Sequence, residues 1–256
     1  DRSVVVSSAD AAVKLDCPLK RLSTHGAEGR NMKVLLVHSF YQQYGGEDAV
    51  VEAELALLRE HGHEVETWFT HNRIMSELSP LKAAVRTIWS TDAHECITKL
   101  VDRFKPDVVH VHNTFQSLSP AVITAAARAG AAVVQTLHNF RLICPQGALL
   151  RQGRVCEDCV GRAPWLGVAR ACYRRSLAQS AALTTMLMVH RGLGTYQRGV
   201  DRFIALSQFS RQKLIDGGLP GELIDVKPNF FEWTDDPVEE GRSGGVFVWR
   251  LSAEKG

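Results

Sequence analysis

The sequence lacks any long hydrophobic run. No stretch reaches the roughly 18–20 apolar residues needed to cross a bilayer. The longest candidate, Ala181 to Val189, falls far short and contains two threonines. An excess of either charge is also missing: 30 Lys and Arg against 28 Asp and Glu leave a formal net charge of +2. Bulk charge therefore does not point to a polyanionic partner, and no nucleic-acid partner is expected. The three spaced glycines of a dinucleotide fingerprint are absent, which leaves a nicotinamide cofactor poorly supported. The first 31 residues hold no continuous apolar core of a secretory signal. A reducing, cytoplasmic setting is thus the expectation, and the six cysteines read first as thiols or metal ligands.

What is present begins at Met32. Residues 1–31 are polar, irregular and weakly periodic, a leader set apart from fold reasoning. Lys33 to His38 is then a short, nearly continuous apolar run, as in a strand buried on both faces of a parallel sheet. Glu47 to His61 carries Val50, Val51, Leu55 and Leu58 at helical spacing and stops at Gly62. Val65 to Phe69 reads as a strand, and Met75 to Phe104 as helix broken near Ser79-Pro80. Asp107 to His112 and Ala132 to Leu137 are further strands, separated by an Ala-rich helix over Pro120 to Ala129. Arg202 to Leu206, Gln208 to Asp216 and Leu223 to Val226 read as strand, helix and strand. This alternation predicts an α/β fold, a Rossmann-like parallel sheet with helices on both faces. One acceptor-side domain is expected over 32–229. An acidic, Gly-rich linker follows over 230–245, and residues 246–256 open a second, truncated domain.

Ligands of an open parallel sheet bind beyond the carboxyl ends of its strands. Three expected strands deliver polar groups there: Tyr44-Gly45-Gly46 after the first, His110 and His112-Asn113 around the third, and His138-Asn139 after the fourth. Gly45 and Gly46 before a helix allow backbone N–H groups to approach a ligand. Glu47 and Asp48 in the first helical turn would repel a phosphate while favouring the helix dipole. His110 and His112 share a face if both lie in the strand. As a pair they could bind a metal, but no third ligand is evident nearby in sequence.

A cysteine group interrupts the pattern over 144–172. Cys156-Glu157-Asp158-Cys159 is a Cys-x2-Cys pair, and Cys144 and Cys172 could complete a tetrahedral shell for structural zinc. Disulfides, or unliganded thiols in a packed loop, are the alternatives. Cys17 and Cys96 stand alone and read as plain thiols. From Tyr173 to Tyr196 the chain is basic, then apolar. It reads as a core-facing helix, with a membrane-facing surface as the alternative.

Met32 to Val37, Gly45-Gly46-Glu47, His61 to Val65, Pro106 to Asn113 and Thr136 to Asn139 together resemble the N-terminal domain of family 4 glycosyltransferases. Arg202 to Ser207, Val226 to Asn229 and Arg250 to Gly256 continue the resemblance in order, and a subset of the family carries a similar cysteine insert. The resemblance implies the GT-B architecture, two Rossmann-like domains facing across a cleft. It also implies transfer of a sugar from a nucleotide-sugar donor to a glycan or lipid-linked acceptor, with retention of anomeric configuration and no metal needed. It places Gly45 and Gly46 near the donor phosphates and His112 at the reacting centre. Arg250 and Lys255 fall on the donor diphosphate, where charge on the leaving group grows. Trp249 departs from the family, which usually has glycine there. The donor site's acidic pair would fall beyond Gly256, so the chain alone is expected to be inactive. An acceptor-binding module without activity and a sugar-nucleotide epimerase are the competing readings.

Overall fold

The computed structural model describes residues 31–230. The leader, Cys17, nearly all of the expected linker, Trp249, Arg250 and Lys255 lie outside the described residues. Elements alternate in the expected manner: β1 (Lys33–Phe40), α1 (Gly46–Glu60), β2 (Glu64–His71), α2 (Pro80–Ile88), α3 (Thr91–Phe104), β3 (Val108–Val111), α4 (Ala121–Arg128) and β4 (Ala132–Leu137). A small hairpin, β5 (Leu150–Arg151) and β6 (Arg154–Val155), and α5 (Trp165–Ala169) occupy the cysteine-rich insert. Then come α6 (Leu177–Gly192), α7 (Thr195–Gly199), β7 (Arg202–Ala205), α8 (Gln208–Asp216) and β8 (Ile224–Val226).

The main sheet has six parallel strands in the order β2-β1-β3-β4-β7-β8. The chain runs outward from β1 in one direction to β2 and in the other to β3, so the topological switch point falls between β1 and β3. Side-chain alternation on β1 divides the core. Val34 and Leu36 pack with Val51 of α1 and Val65 of β2. Leu35 and Val37 pack on the other face with Ile97 and Leu100 of α3 and Val122 of α4. Helices thus cover both faces, which is why β1 is apolar at consecutive positions. Each fully buried Leu, Ile or Trp of this core contributes about 1.5–3 kcal/mol.

The helical region before β3 differs from its sequence pattern. Pro80 does not break a helix; it occupies the first position of α2, behind Ser79, whose hydroxyl accepts from Lys82 N. Proline suits that position because its missing N–H would be unpaired there anyway. The break falls at Trp89-Ser90, where Ser90 Oγ accepts from Ala93 N and starts α3. The stretch before Ser79 is a 3-10 turn, Asn72–Ser76. Among the described residues, no helix is long and apolar enough to cross a membrane.

Candidate functional site at the carboxyl edge of the sheet

The polar residues of the three strand ends do meet, and they meet around α1. His38 near the end of β1 is fully buried, with Nε2 2.8 Å from Asp48 Oδ1. The other oxygen of Asp48 accepts from Gly45 N at 2.8 Å. Asp48 is therefore a structural group at the start of α1, not a charge turned toward a phosphate. The β1 and β3 ends are tied by Asn113, whose amide Nδ2 donates to Ser39 O at 2.8 Å while Oδ1 accepts from Phe115 N at 3.0 Å. Asn113 lies at the site, but this hydrogen bonding makes it a frame for the strand ends.

His110 and His112 point from β3 and its end to the same face, toward α1. There they meet Glu54, a carboxylate only 4% exposed. Glu54 Oε2 lies 3.0 Å from His112 Nε2 and 3.6 Å from His110 Nδ1. The other carboxylate oxygen is ion-paired with Lys227, just past β8. His110 Nε2 is 2.8 Å from Thr136 Oγ1 on β4. His112 Nδ1 is 3.0 Å from His138 Nε2, and the two rings stack at 5.3 Å between centroids. Neither Glu54 Oε2 nor His112 Nε2 has an aligned hydrogen bond. Burial pushes His110 down to about 3 and His138 down to about 4, with neighbouring histidines and Lys227 adding to it in both. His112 is pushed well below its usual value by burial first and by His138 next.

His138 and His112 line a cavity of about 50 Å³ together with Asn113, Glu47, Asn139 and Arg141. His112 is almost wholly buried behind this surface, whereas His138 is half-buried. Glu47 reaches back across the cavity. Its Oε1 accepts from Asn139 Nδ2 at 2.9 Å, and its Oε2 is buried without a hydrogen-bond partner. Burial raises its pKa, against the pull of Asn139 and Arg141. Arg141 packs over the Phe115 ring at 4.2 Å.

Gly45 and Gly46 open α1 at the same edge. Gly45 has φ −138 and ψ 179, ordinary extended backbone. A Cβ added at Gly46 would meet nothing within 4 Å, and one at Gly45 only Asp48 Oδ2 at 3.9 Å. Neither backbone strain nor packing within the described residues demands glycine at either position.

Sequence reasoning named His112, His138, Asn113 and the two glycines as candidates; the structure brings His112, His138 and Asn113 to one cavity and leaves Gly45 and Gly46 outside its lining, while Glu54, Lys227 and Arg141 were not among the candidates. One signal for Glu54 was available: it lies on the stripe of Val50, Val51 and Leu58, so a carboxylate there must enter the interior. That carboxylate is the third metal-capable group not evident beside the histidines; the ligating atoms of Glu54, His110 and His112 lie within 4.8 Å of one another.

The four insert cysteines line one cavity, with Cys144 and Cys159 buried and Cys156 and Cys172 half-buried. Burial raises the Cys159 thiol pKa, and the Cys144 and Cys172 thiols raise it further. The donor set and its gathering around one space fit a tetrahedral ion. Cys96 is a core residue of α3.

Three solved structures are among those similar to part of this chain. The UDP-GlcNAc 2-epimerase of Neisseria meningitidis, bound to UDP-GlcNAc, shares 18% identity over 77% of this chain and 46% of its own, with a TM-score of 0.41. Anabaena Alr3699/HepE in complex with UDP and glucose shares 17% over 79% and 45%, at 0.38. The lipopolysaccharide outer core galactosyltransferase WaaB in its apo form shares 12% over 82% and 50%, at 0.42. The chain spans about half the length of each. No curated protein matches it. The sequence pattern of Glycosyltransferase Family 4 matches residues 44–232, which include the α1 start, the histidine cluster, the cysteine insert and Lys227. The chain belongs to Glycosyltransferase Family 4.

Proposed function

We propose that this chain is the acceptor-side part of a glycosyltransferase that moves a sugar from a nucleotide-sugar donor to a glycan or lipid-linked acceptor, retaining anomeric configuration and needing no metal for transfer. The observation that carries the reading is the convergence of the start of α1 and the ends of β3 and β4 on one cavity inside the family-matched segment. In this reading the open start of α1 at Gly45 and Gly46 receives the donor. His138 and His112 face the transferred sugar. Arg250 and Lys255 hold the leaving diphosphate, where positive charge stabilises the transition state most.

Two accessory features belong to the proposal. Cys144, Cys156, Cys159 and Cys172 hold a structural zinc that organises the insert. The outer face of α2 touches a membrane carrying the acceptor. Support for the contact comes from an inverted helix: Leu81 and Val85 are 75% and 56% exposed while Arg86 and Thr87 are buried.

The test is incubation of the full-length protein with a panel of nucleotide sugars, with and without acceptor glycans. Acceptor-dependent release of nucleotide, with a glycosylated product, supports transfer. Conversion of one nucleotide sugar into its epimer without acceptor would overturn it in favour of an epimerase.

A further inference from the structure

The cavity that His138 lines also reaches the other face of the sheet. Thr136 turns toward α1, where it meets His110. Gln135, one position earlier on β4, therefore turns to the opposite face, where Val133 and Leu137 join the core with α3 and α4. Gln135 is 4% exposed and lines the cavity. Its amide makes no hydrogen bond among the described residues, and Oε1 is enclosed. Thr114 and Tyr196 are buried in the same lining, and their hydroxyls likewise make no hydrogen bond among the described residues. Buried polar groups in a folded protein are nearly always paired. Three such groups around one space point to an occupant.

Size and chemistry narrow that occupant. A cavity of about 150 Å³ holds one benzene ring; this one, at about 50 Å³, takes a substituent and not a whole sugar ring. The residues that α2, α6 and α7 add to the lining, Thr87, Met186 and Tyr196, carry no charge. An ionised group entering there would lose its hydration without compensation. Buried water suits a polar site with roughly two to four partners, whereas Phe115, Leu142 and Met186 make much of this lining apolar. The Gln135 side chain presents an acceptor and two donors in one plane. Its complement is a second amide, which donates N–H to Oε1 and accepts from Nε2, leaving an attached methyl for the apolar wall. A single hydroxyl does not meet both ends of the Gln135 amide in good alignment, and it covers none of that wall.

We infer that Gln135, with Thr114 and Tyr196, forms a subsite for the acetamido group of an N-acetylated sugar whose ring stays at the sheet edge beside His138. The methyl of that group packs against Phe115, Leu142 and Met186. That the amide belongs to a sugar rests on the transferase reading; the fit of a neutral amide to this lining does not.

The experiment begins with saturation-transfer NMR on the 256-residue chain, using N-acetylglucosamine and glucose as probes. The acetyl methyl should receive the largest saturation, and N-acetylglucosamine should bind roughly tenfold more tightly than glucose. Equal binding of the two sugars, binding of neither, or a methyl no more saturated than the ring protons would leave the cavity to water and overturn the inference. Gln135→Met keeps the length of the side chain and removes its hydrogen bonds. It should bring the two sugars to near parity without lowering Tm, because the amide has no partner in the fold. Tyr196→Phe should narrow the preference several-fold and serves where Gln135→Met fails to fold. An undiminished preference in a folded variant would overturn the role of that residue. The full-length protein is then assayed with nucleotide sugars and acceptors that carry either acetamido or hydroxyl beside the anomeric carbon. Preference on the donor assigns the subsite to the transferred sugar, and preference on the acceptor assigns it there. Transfer indifferent to acetamido on both would overturn the inference. No transfer in any combination, with the binding preference intact, would refute the transferase reading and leave the subsite standing.

Discussion

Gly46→Ala should make the chain slightly more stable and the full-length enzyme markedly slower. Gly46 is the first residue of α1 and takes ordinary helical backbone. A Cβ built there meets no atom within 4 Å, so the substitution introduces no clash inside the described residues. Glycine in a helix is less favourable than alanine by about 0.5–1 kcal/mol. The gain at a first position should lie at the lower end, and in a domain of this size it raises Tm by roughly 1–3 °C. If the open space belongs to the donor, the same methyl intrudes on the ligand at about 1–3 kcal/mol, which is roughly 10- to 100-fold in rate. Thermal melting of the chain and initial-rate transfer by the full-length protein measure the two effects separately. Gly217→Ala is the control, because its Cβ would fall 2.2 Å from Ile143 Cγ2. That variant should lose about 1–3 kcal/mol of stability through overpacking. A fall in Tm for Gly46→Ala, or transfer at the wild-type rate, would refute the argument that this glycine is kept open for a ligand.

Three further outcomes follow from the same structure. The folded-state pKa values of His110, His112 and His138 lie below their usual value, toward about 3 for His110 and about 4 for His138. Below about pH 6.5 the unfolded chain therefore binds protons that the folded chain does not. Stability should be fully present above that pH and fall toward pH 4, by about 1.4 kcal/mol per pH unit for each histidine that stays neutral; urea unfolding that is flat between pH 7 and pH 5 would contradict this. Elemental analysis of protein purified without added zinc should give about one zinc per chain, and Cys159→Ser should weaken its retention; a metal-free chain whose stability ignores chelator would remove the zinc. Replacing Leu81 and Val85 together with glutamate should abolish flotation with anionic vesicles at little cost to folding, since both side chains are exposed; equal flotation of variant and wild type would remove α2 from the contact.

Much of the fold was legible because β1, β3 and β4 are short apolar runs separated by helices of ordinary period. Burial on both sheet faces writes itself directly into sequence at Val34 to Val37. The placement of His112, His138, Gly45 and Gly46 at one edge followed from strand ends alone. Pro80 was misleading because proline ends a helix from the inside but starts one from the first position. Glu54 and Lys227 were invisible as a pair because they lie 173 positions apart along the chain, and only the folded chain brings the Lys227 side chain to Glu54. The partners of Asp48 and Asn113 were hidden for a related reason. A polar side chain at a strand or helix end looks alike in sequence whether it awaits a ligand or closes a backbone gap, and here Gly45 N and Ser39 O supply the partners.

The central claim is that the carboxyl edge of β1, β3 and β4 carries out sugar transfer. His138 is the cleaner probe of it, because it is half-buried at the cavity, whereas His112 is only 3% exposed and removing its ring leaves a cavity that should cost about 2–5 kcal/mol of stability on its own. The direct measurement is acceptor-dependent nucleotide release by the full-length protein, compared for wild type, His138→Gln and His112→Ala, with folding followed by circular dichroism. The account predicts a loss of roughly 100-fold or more in kcat for His138→Gln with the fold intact, and a similar loss plus lowered stability for His112→Ala. Turnover within a few-fold of wild type in both folded variants would contradict it.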